Sequence, residues 1–386
     1  MGQSPSSEKR KKALDDADYR LFRSTVAQQK ACFGMDETKI WKYFDFGPHE
    51  ATPLVCLHST AGTADCFYRQ FNELVGRGVR LVAVQFPAYS THDEWIQGFD
   101  ELLDHLHITK CHLLGASLGG FLAMLYARFH GSRLGSLFLV NSFYDNATLR
   151  APLDQFDFSA SFLLKRSILK NFATGNLEER IADSVDFMVD MIDSLSREEV
   201  ASRLKLNCGE AYVGTPQVPE ENITILETLD YNAVPEGLRA QLRERFPGAK
   251  VVYMKTGGDF PYLARPDEVN MNIMVHLRRV DEYYRGRTVA ASSVAASSAA
   301  SVPSTIAPAP APATAPAPAA PVFVPAAAVA ETAAPAPGSP TSPPPIPSTA
   351  VGDVESSAEL PPAAPAAHVE EPSAPSPTAE PSAGAD

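Results

Sequence analysis

A serine flanked by small residues, Gly115-Ala116-Ser117-Leu118-Gly119, fits the pattern G-x-S-x-G. An apolar run precedes it, and residues 118–130, which read as a buried helix, follow it. The glycines permit a tight strand-to-helix turn that raises the serine hydroxyl above the backbone. The turn also puts Ser117 at a helix N-terminus, where unpaired N–H groups favour an oxyanion. This context predicts an acyl-transfer nucleophile; the alternative is a turn that simply requires glycine.

The groups that would assist Ser117 are expected in loops after other strands. Residues 58–62 follow an apolar run, so the backbone N–H groups of Leu118 and of Ser59 or Thr60 are the oxyanion-hole candidates. Asp230 follows a later run and is the candidate for the acid of a triad. An ordinary turn aspartate is the alternative at that position.

The general base is expected in the turn between the last strand and the last helix. That turn reads Gly257-Gly258-Asp259-Phe260-Pro261, so Asp259 occupies the position where a histidine is usual. A carboxylate near its ordinary pKa is a weak base, and loss of the base costs on the order of a millionfold in turnover. We therefore expect little or no serine-hydrolase activity.

Three histidines come into question as a substitute base. His58 lies on the oxyanion loop and is the alternative base candidate, whereas His92 follows the second strand and His276 lies inside the final helix. A structural role is the expectation for each. The sequence indicates no metal site and no cofactor.

Six near-continuous apolar runs predict parallel strands buried on both faces, and amphipathic or apolar segments between them predict helices. The predicted strands are 53–57, 80–86, 110–115, 136–141, 222–226 and 250–254, and the predicted helices are 64–76, 93–107, 118–130 and 266–285. This alternation, together with the serine turn, predicts an α/β-hydrolase fold with a mostly parallel sheet covered by helices on both faces.

The alternation stops between residues 144 and 221, where helical patterns predict a cap over the strand ends. Residues 177–195 have one apolar face, and Ser196-Arg-Glu-Glu199 forms a capping box for the next helix. Another face of the same segment carries acids, for which a solvated surface is favoured over a metal site. These acids are Asp183, Asp186, Asp190 and Asp193.

The chain divides into a basic leader (1–17), a folded domain (18–287) and an Ala/Pro/Ser-rich tail (288–386) predicted to be disordered. The formal charge is −13, and the tail holds eight acids and no Lys or Arg, which leaves −5 for the rest. Nothing in this charge distribution suggests nucleic-acid binding. The leader matches a myristoylation pattern at Gly2, and the basic run Lys9–Lys12 could add membrane contact. An accidental match in a solvated leader is the alternative.

The five cysteines show no paired spacing, which favours reduced thiols and a cytoplasmic location. No apolar run is long enough to cross a membrane, and no signal peptide begins the chain.

Several segments between residues 18 and 285 together resemble the maspardin family, a branch of the α/β-hydrolase superfamily. They are Gly62-Thr-Ala-Asp65, LLDHL at 102–106, HLLGASLGGFLA at 112–123, VDFMVDMIDSL at 185–195, ASRLKLNC at 201–208 and KTGGDFPYL at 255–263. The leader and the long tail depart from that pattern.

The resemblance implies a protein without demonstrated catalysis, located in the cytosol and on endosomal and trans-Golgi membranes. It also implies protein partners in vesicle sorting, such as cytoplasmic receptor tails. An active esterase or lipase with an atypical base is the competing hypothesis.

Overall fold

The computed structural model describes residues 16–33 and 39–285. Within them, eight strands form one sheet in the order β1-β2-β4-β3-β5-β6-β7-β8. They are β1 (Gln29–Cys32), β2 (Ile40–Phe46), β3 (Leu54–Leu57), β4 (Leu81–Gln85), β5 (Cys111–Ala116), β6 (Leu134–Val140), β7 (Ile223–Thr228) and β8 (Lys250–Met254). The β1–β2 and β2–β4 pairs are antiparallel and the others are parallel. The predicted α/β-hydrolase fold is confirmed.

All six predicted strands are present; β3 to β7 lie inside the sheet and are largely buried on both faces, whereas β8 is an edge strand and is only partly buried. Every residue of β3, β4, β5 and β7 is buried. Successive side chains belong to different apolar clusters, with Leu54 and Cys56 in one and Val55 and Leu57 in the other. Since side chains along a strand alternate, these clusters are the packed layers on the two faces of the sheet.

Strands β1 and β2 were not predicted from the sequence. β1 is mostly polar, and β2 alternates between buried and more exposed residues instead of forming an apolar run. β1 is the edge strand of the sheet, and β2 lies next to it, between β1 and β4. Side chains of both strands remain partly exposed, as is common in the antiparallel part of a sheet.

The helices cover the sheet and form the cap. They are α1 (Ala17–Thr25), α2 (Tyr68–Leu74), α3 (His92–His105), α4 (Leu118–His130), α5 (Gln155–Phe158), α6 (Ser161–Leu169), α7 (Glu179–Ser194), α8 (Arg197–Cys208), α9 (Glu236–Arg245), α10 (Pro261–Ala264) and α11 (Pro266–Val280). The helix predicted over 266–285 ends earlier, at Val280. Asp281 is extended there, because its carboxylate bonds to His112 and to the Tyr283 N–H.

The cap contains α5 to α8. The capping box at the start of α8 is present, with Ser196 and Glu199 each accepting from the other's backbone N–H. On α7, Asp183 and Asp193 are exposed and Asp186 and Asp190 are partly buried. Within the described ranges, no three His, Cys, Asp or Glu residues are grouped to hold a metal ion.

Asp16 caps α1 through the Asp18 N–H, so helical structure begins one residue before the predicted boundary at 18. Gly2, the run Lys9–Lys12 and the tail 288–386 lie outside the described residues. None of the helices described here has both the length and the apolar composition of a membrane span. Cys56, Cys66 and Cys111 are buried thiols.

Candidate functional site

The serine turn has the strained geometry that a nucleophile elbow requires. Ser117 joins β5 to α4 with φ of 49° and ψ of −113°, a combination that side-chain-bearing residues avoid. Its N–H donates to the carbonyl of Val140 at 2.9 Å, and its carbonyl accepts from Ser142 Oγ at 2.9 Å. These bonds hold the turn against the end of β6, so the strain is supported by the neighbouring strand.

Close backbone packing explains the glycines of the turn. A Cβ atom at Gly119 would lie 2.3 Å from the carbonyl oxygen of Leu57, and one at Gly115 would lie 2.5 Å from the backbone of Gly120. The backbone at Leu57 or Gly120 could make room for a side chain only if β3 or α4 moved, so only glycine fits at both positions. The contact at Gly119 also brings the start of α4 against the loop after β3, which is the loop expected to supply the second oxyanion donor.

Ser117 opens into a cavity of about 140 Å³ beneath the cap. Ser59, Thr60 and Asp259 line the same cavity, so the structure brings these predicted site residues together. Leu118 is fully buried directly after Ser117. Much of the wall is apolar and comes partly from the cap, including Phe143, Leu149, Ile168, Phe172, Leu204 and Phe260.

The carboxyl group of Asp259 is anchored on one side and unsatisfied on the other. Oδ1 accepts from the Ala233 N–H at 2.5 Å, whereas Oδ2 is buried with no hydrogen-bond partner among the described residues. Burial raises the pKa of Asp259 to about 6, the negative charge of Asp230 adds to that rise, and the bond from Ala233 opposes it. Asp259 is therefore a stronger base than an ordinary carboxylate, but when ionised it has no N–H or O–H of its own to donate to the acid of a triad, as an imidazole has.

Asp230 shapes the loop that carries Asp259. Its carboxylate accepts from the Gly257 N–H at 2.9 Å and from the Gly258 N–H at 3.0 Å. It does not line the cavity. The role of Asp230 as a triad acid stays a prediction. Its hydrogen bonds to the N–H groups of Gly257 and Gly258 have a separate, structural role, because they hold the loop that carries Asp259.

The structure does not bring His58 to Ser117. The ring is fully buried, Nδ1 lies 2.8 Å from the carbonyl oxygen of Ser59, and the ring stacks on Phe86 at 4.2 Å. Burial lowers the pKa of His58 well below its ordinary value, and the charge of Arg203 lowers it further. His58 is thus a neutral packing residue beneath the oxyanion loop.

The other histidines considered as bases also have different partners. His92 Nε2 bonds to the Leu206 carbonyl. His276 bonds to Ser136 Oγ and Thr224 Oγ1, near the amino ends of β6 and β7, whereas Ser117 lies at the carboxyl end of β5. Within the described ranges, no hydrogen bond joins an imidazole to Ser117.

Comparison with known proteins gives the family. The alpha/beta hydrolase family model matches residues 54–271. Maspardin of Homo sapiens is 42% identical over 265 residues, covering 67% of this chain and 86% of that protein. Maspardin of Danio rerio is 40% identical over 267 residues, covering 68% and 86%. This chain belongs to the maspardin family.

Solved structures extend the fold relationship of this maspardin-family chain beyond close relatives. A thermophilic esterase from Thermogutta terrifontis superposes with a TM-score of 0.56 at 19% identity, covering 66% of this chain and 98% of the esterase. An enol-lactonase from Burkholderia xenovorans gives 0.53 at 16%, covering 64% and 99%. At these identities the likeness concerns the fold alone.

Two site-supporting residues of this maspardin-family chain were missed in the sequence. Asn141 directly follows β6, has φ of 42° and donates from Nδ2 to the Gly258 carbonyl at 3.0 Å. Arg203 of α8, 1% exposed, donates from Nη1 to the carbonyls of Gly62 and Thr60 at 2.5 and 3.3 Å. A polar residue at the end of the apolar run 136–141 was a usable signal for Asn141. No comparable signal in the sequence indicated that Arg203 would be buried.

The raised pKa of Asp259 predicts that this residue destabilises the folded protein near neutral pH. Between about pH 4 and 6 the folded chain keeps a proton that the unfolded chain has lost, so stability falls as pH rises. An asparagine side chain at this position cannot ionise, but its amide oxygen can still accept from Ala233. Asp259→Asn should therefore raise the free energy of unfolding at about pH 7.5 by roughly 2 kcal/mol, with little change near pH 4.

Urea unfolding at both pH values measures this difference. Asp267→Asn is the matched control, because Asp267 is an exposed acid in the first turn of α11 and no comparable gain is expected there. Equal stability of parent and Asp259→Asn at the higher pH would contradict the buried-charge interpretation.

Proposed function

We propose that this chain is a catalytically impaired member of the maspardin family that acts by binding. Under this proposal the domain serves as an adaptor in intracellular vesicle or endosomal trafficking. It is cytoplasmic and associates peripherally with endosomal or trans-Golgi membranes. Its partners are proteins, such as cytoplasmic tails or trafficking components.

The observation that carries the proposal is the environment of Ser117. The hydroxyl shares its cavity with Asp259, and no imidazole is hydrogen-bonded to it within the described residues. A serine hydroxyl needs a positioned base to become a nucleophile near neutral pH. Asp259 cannot be oriented by Asp230 as an imidazole would be, because an ionised carboxylate has no proton to donate.

The retained cavity supports binding as the remaining capability. Its apolar wall and few polar groups are typical of sites that hold a small ligand or a side chain of a peptide. Ser117, Ser59 and Thr60 then act as hydrogen-bonding groups rather than as catalytic ones. The tight packing of Gly119 against Leu57 and of Gly115 against Gly120 requires glycine at both positions, whether or not Ser117 reacts.

The N-terminal segment adds a second element to the proposal. Myristoylation of Gly2 together with the basic run Lys9–Lys12 would provide the two signals that stable membrane association requires. The intact mass of the protein from its own cells tests this, and an unmodified or acetylated Gly2 would exclude it.

A fluorophosphonate probe tests the catalytic part of the proposal. We expect wild-type protein to show no labelling above that of Ser117→Ala, because the missing base lowers reactivity by several orders of magnitude. The competing function is an active serine hydrolase, which the strained geometry of Ser117 favours. Labelling of the wild type that disappears in Ser117→Ala would establish that function instead.

A further inference from the structure

The cap exposes large apolar side chains of the kind that globular proteins normally bury. Phe158 at the end of α5 is 88% exposed, and Phe162 and Leu163 at the start of α6 are 67% and 47% exposed. Large apolar residues grouped on a surface mark interaction sites more often than chance exposure does. Phe158 and Phe162 are four residues apart, hence within about 14 Å even along extended chain.

Two cations continue this exposed surface along α6. Arg166 follows Phe162 by four residues and Leu163 by three, and Lys170, the capping residue, follows Arg166 by four. Residues at these spacings share one side of a helix. Both cations are exposed. We define the cap face as Phe158, Phe162, Leu163, Arg166 and Lys170.

The cations of the cap face are available for a partner. Neither Arg166 nor Lys170 forms an ion pair within the described part of the chain. The nearby acid Asp157 is already paired with Lys205 at 2.6 Å. The chain as a whole carries −13, so this surface differs in charge from the average of the molecule. Exposed apolar side chains next to these cations suit a partner that has an anionic surface and an apolar interior.

We propose that the cap face docks on an anionic lipid bilayer, with α6 lying in the membrane interface. Interfacial helices have this composition, with aromatic and aliphatic side chains entering the acyl boundary and Lys or Arg contacting anionic headgroups. Phe158, Phe162 and Arg166 would also suit a protein interface, but Lys170 argues for the bilayer, because lysine is depleted in the cores of protein interfaces. The opposite side of α6 buries Leu164 and Ile168.

Docking in this orientation would bring the membrane close to the ligand cavity. Ser167 and Ile168 of α6 line the cavity that contains Ser117. One helix therefore separates the proposed membrane surface from the site, and a ligand with an acyl chain would have a short path between them. The inference rests on the peripheral membrane association in the proposed function and names the surface that would make it. It does not depend on whether Ser117 reacts.

Vesicle flotation with the full-length, unacylated protein tests the proposal. We expect binding to phosphatidylcholine vesicles that contain about 30 mol% phosphatidylserine and much weaker binding to phosphatidylcholine alone. Arg166→Ser/Lys170→Ser should lower partitioning about 25-fold, at about fivefold per cation. Phe158→Ser/Phe162→Ser should lower it roughly tenfold or more. Salt at about 0.5 M should weaken wild-type binding.

Matched variants elsewhere provide the controls. Met271→Ser/Val275→Ser removes two exposed apolar residues from α11, and Arg20→Ser/Lys30→Ser removes two exposed cations. Both should bind like the wild type. A variant with serine at Lys9, Arg10, Lys11 and Lys12 measures the contribution of the leader.

The proposal is overturned if the wild type does not bind the anionic vesicles, or if both cap-face variants bind as well as the wild type. Loss of binding in the leader variant alone would also overturn it, because the leader would then account for all membrane contact. Fluorophosphonate labelling of the same preparations reports separately on the proposed lack of catalysis.

Discussion

Asp259→His is expected to create serine reactivity, raising fluorophosphonate labelling and ester hydrolysis roughly 100-fold or more above the parent. The residue lines the cavity together with Ser117, in the loop directly after β8. An imidazole there could accept the serine proton. Asp230 uses its carboxylate to accept from Gly257 and Gly258, and its remaining lone pairs could accept from the imidazole N–H.

Two variants separate a restored base from a general change in the cavity. Asp259→Asn removes the charge without supplying a base and should remain unreactive. Asp259→His/Ser117→Ala should lose all of the gained labelling. If Asp259→His folds with parental stability and stays unreactive, the claim that only a base is missing would be wrong, and the position of Asp259 relative to Ser117 would need another explanation.

Features of the fold that depend on local sequence were predictable. The serine turn was identified because its glycines are required by contacts within the strand–turn–helix unit itself. Strands β3 to β7 were identified because burial on both faces demands a continuous apolar run. The edge strand β8 was identified from a similar run, although it is only partly buried. Strand β2 has no such run, since one of its faces remains partly exposed, and β1 is too polar to show a pattern.

Features that depend on distant contacts were not predictable in the same way. The end of α11 at Val280 follows from the bond between Asp281 and His112, which are 169 positions apart. The placement of His58 depends on stacking against Phe86, which directly follows β4. Sequence reasoning allowed His58 to approach Ser117, because nothing local indicated which side of the loop the ring would occupy.

Asn141 links the strand ends to the loop of Asp259, and Asn141→Ala should lower the free energy of unfolding by about 3 kcal/mol. The side chain is 2% exposed, and its Oδ1 accepts from the Thr228 N–H at 3.0 Å while Nδ2 donates to the Gly258 carbonyl. Alanine would leave the buried Thr228 N–H without this acceptor. Its positive φ of 42° adds a backbone penalty that asparagine tolerates better.

Urea unfolding measures the loss, and Asn222→Ala is the matched control. Asn222 donates one bond, to the Gly135 carbonyl at 3.2 Å, and is only partly buried, so a loss under about 1 kcal/mol is expected. A similarly small loss for Asn141→Ala would contradict the linking role. The role also predicts coupling: in the Asp259→His background, Asn141→Ala should remove most of the gained labelling while the protein is still folded. The reason is that the loop carrying residue 259 is then no longer tied to β6, and catalysis is sensitive to displacements of about 1 Å.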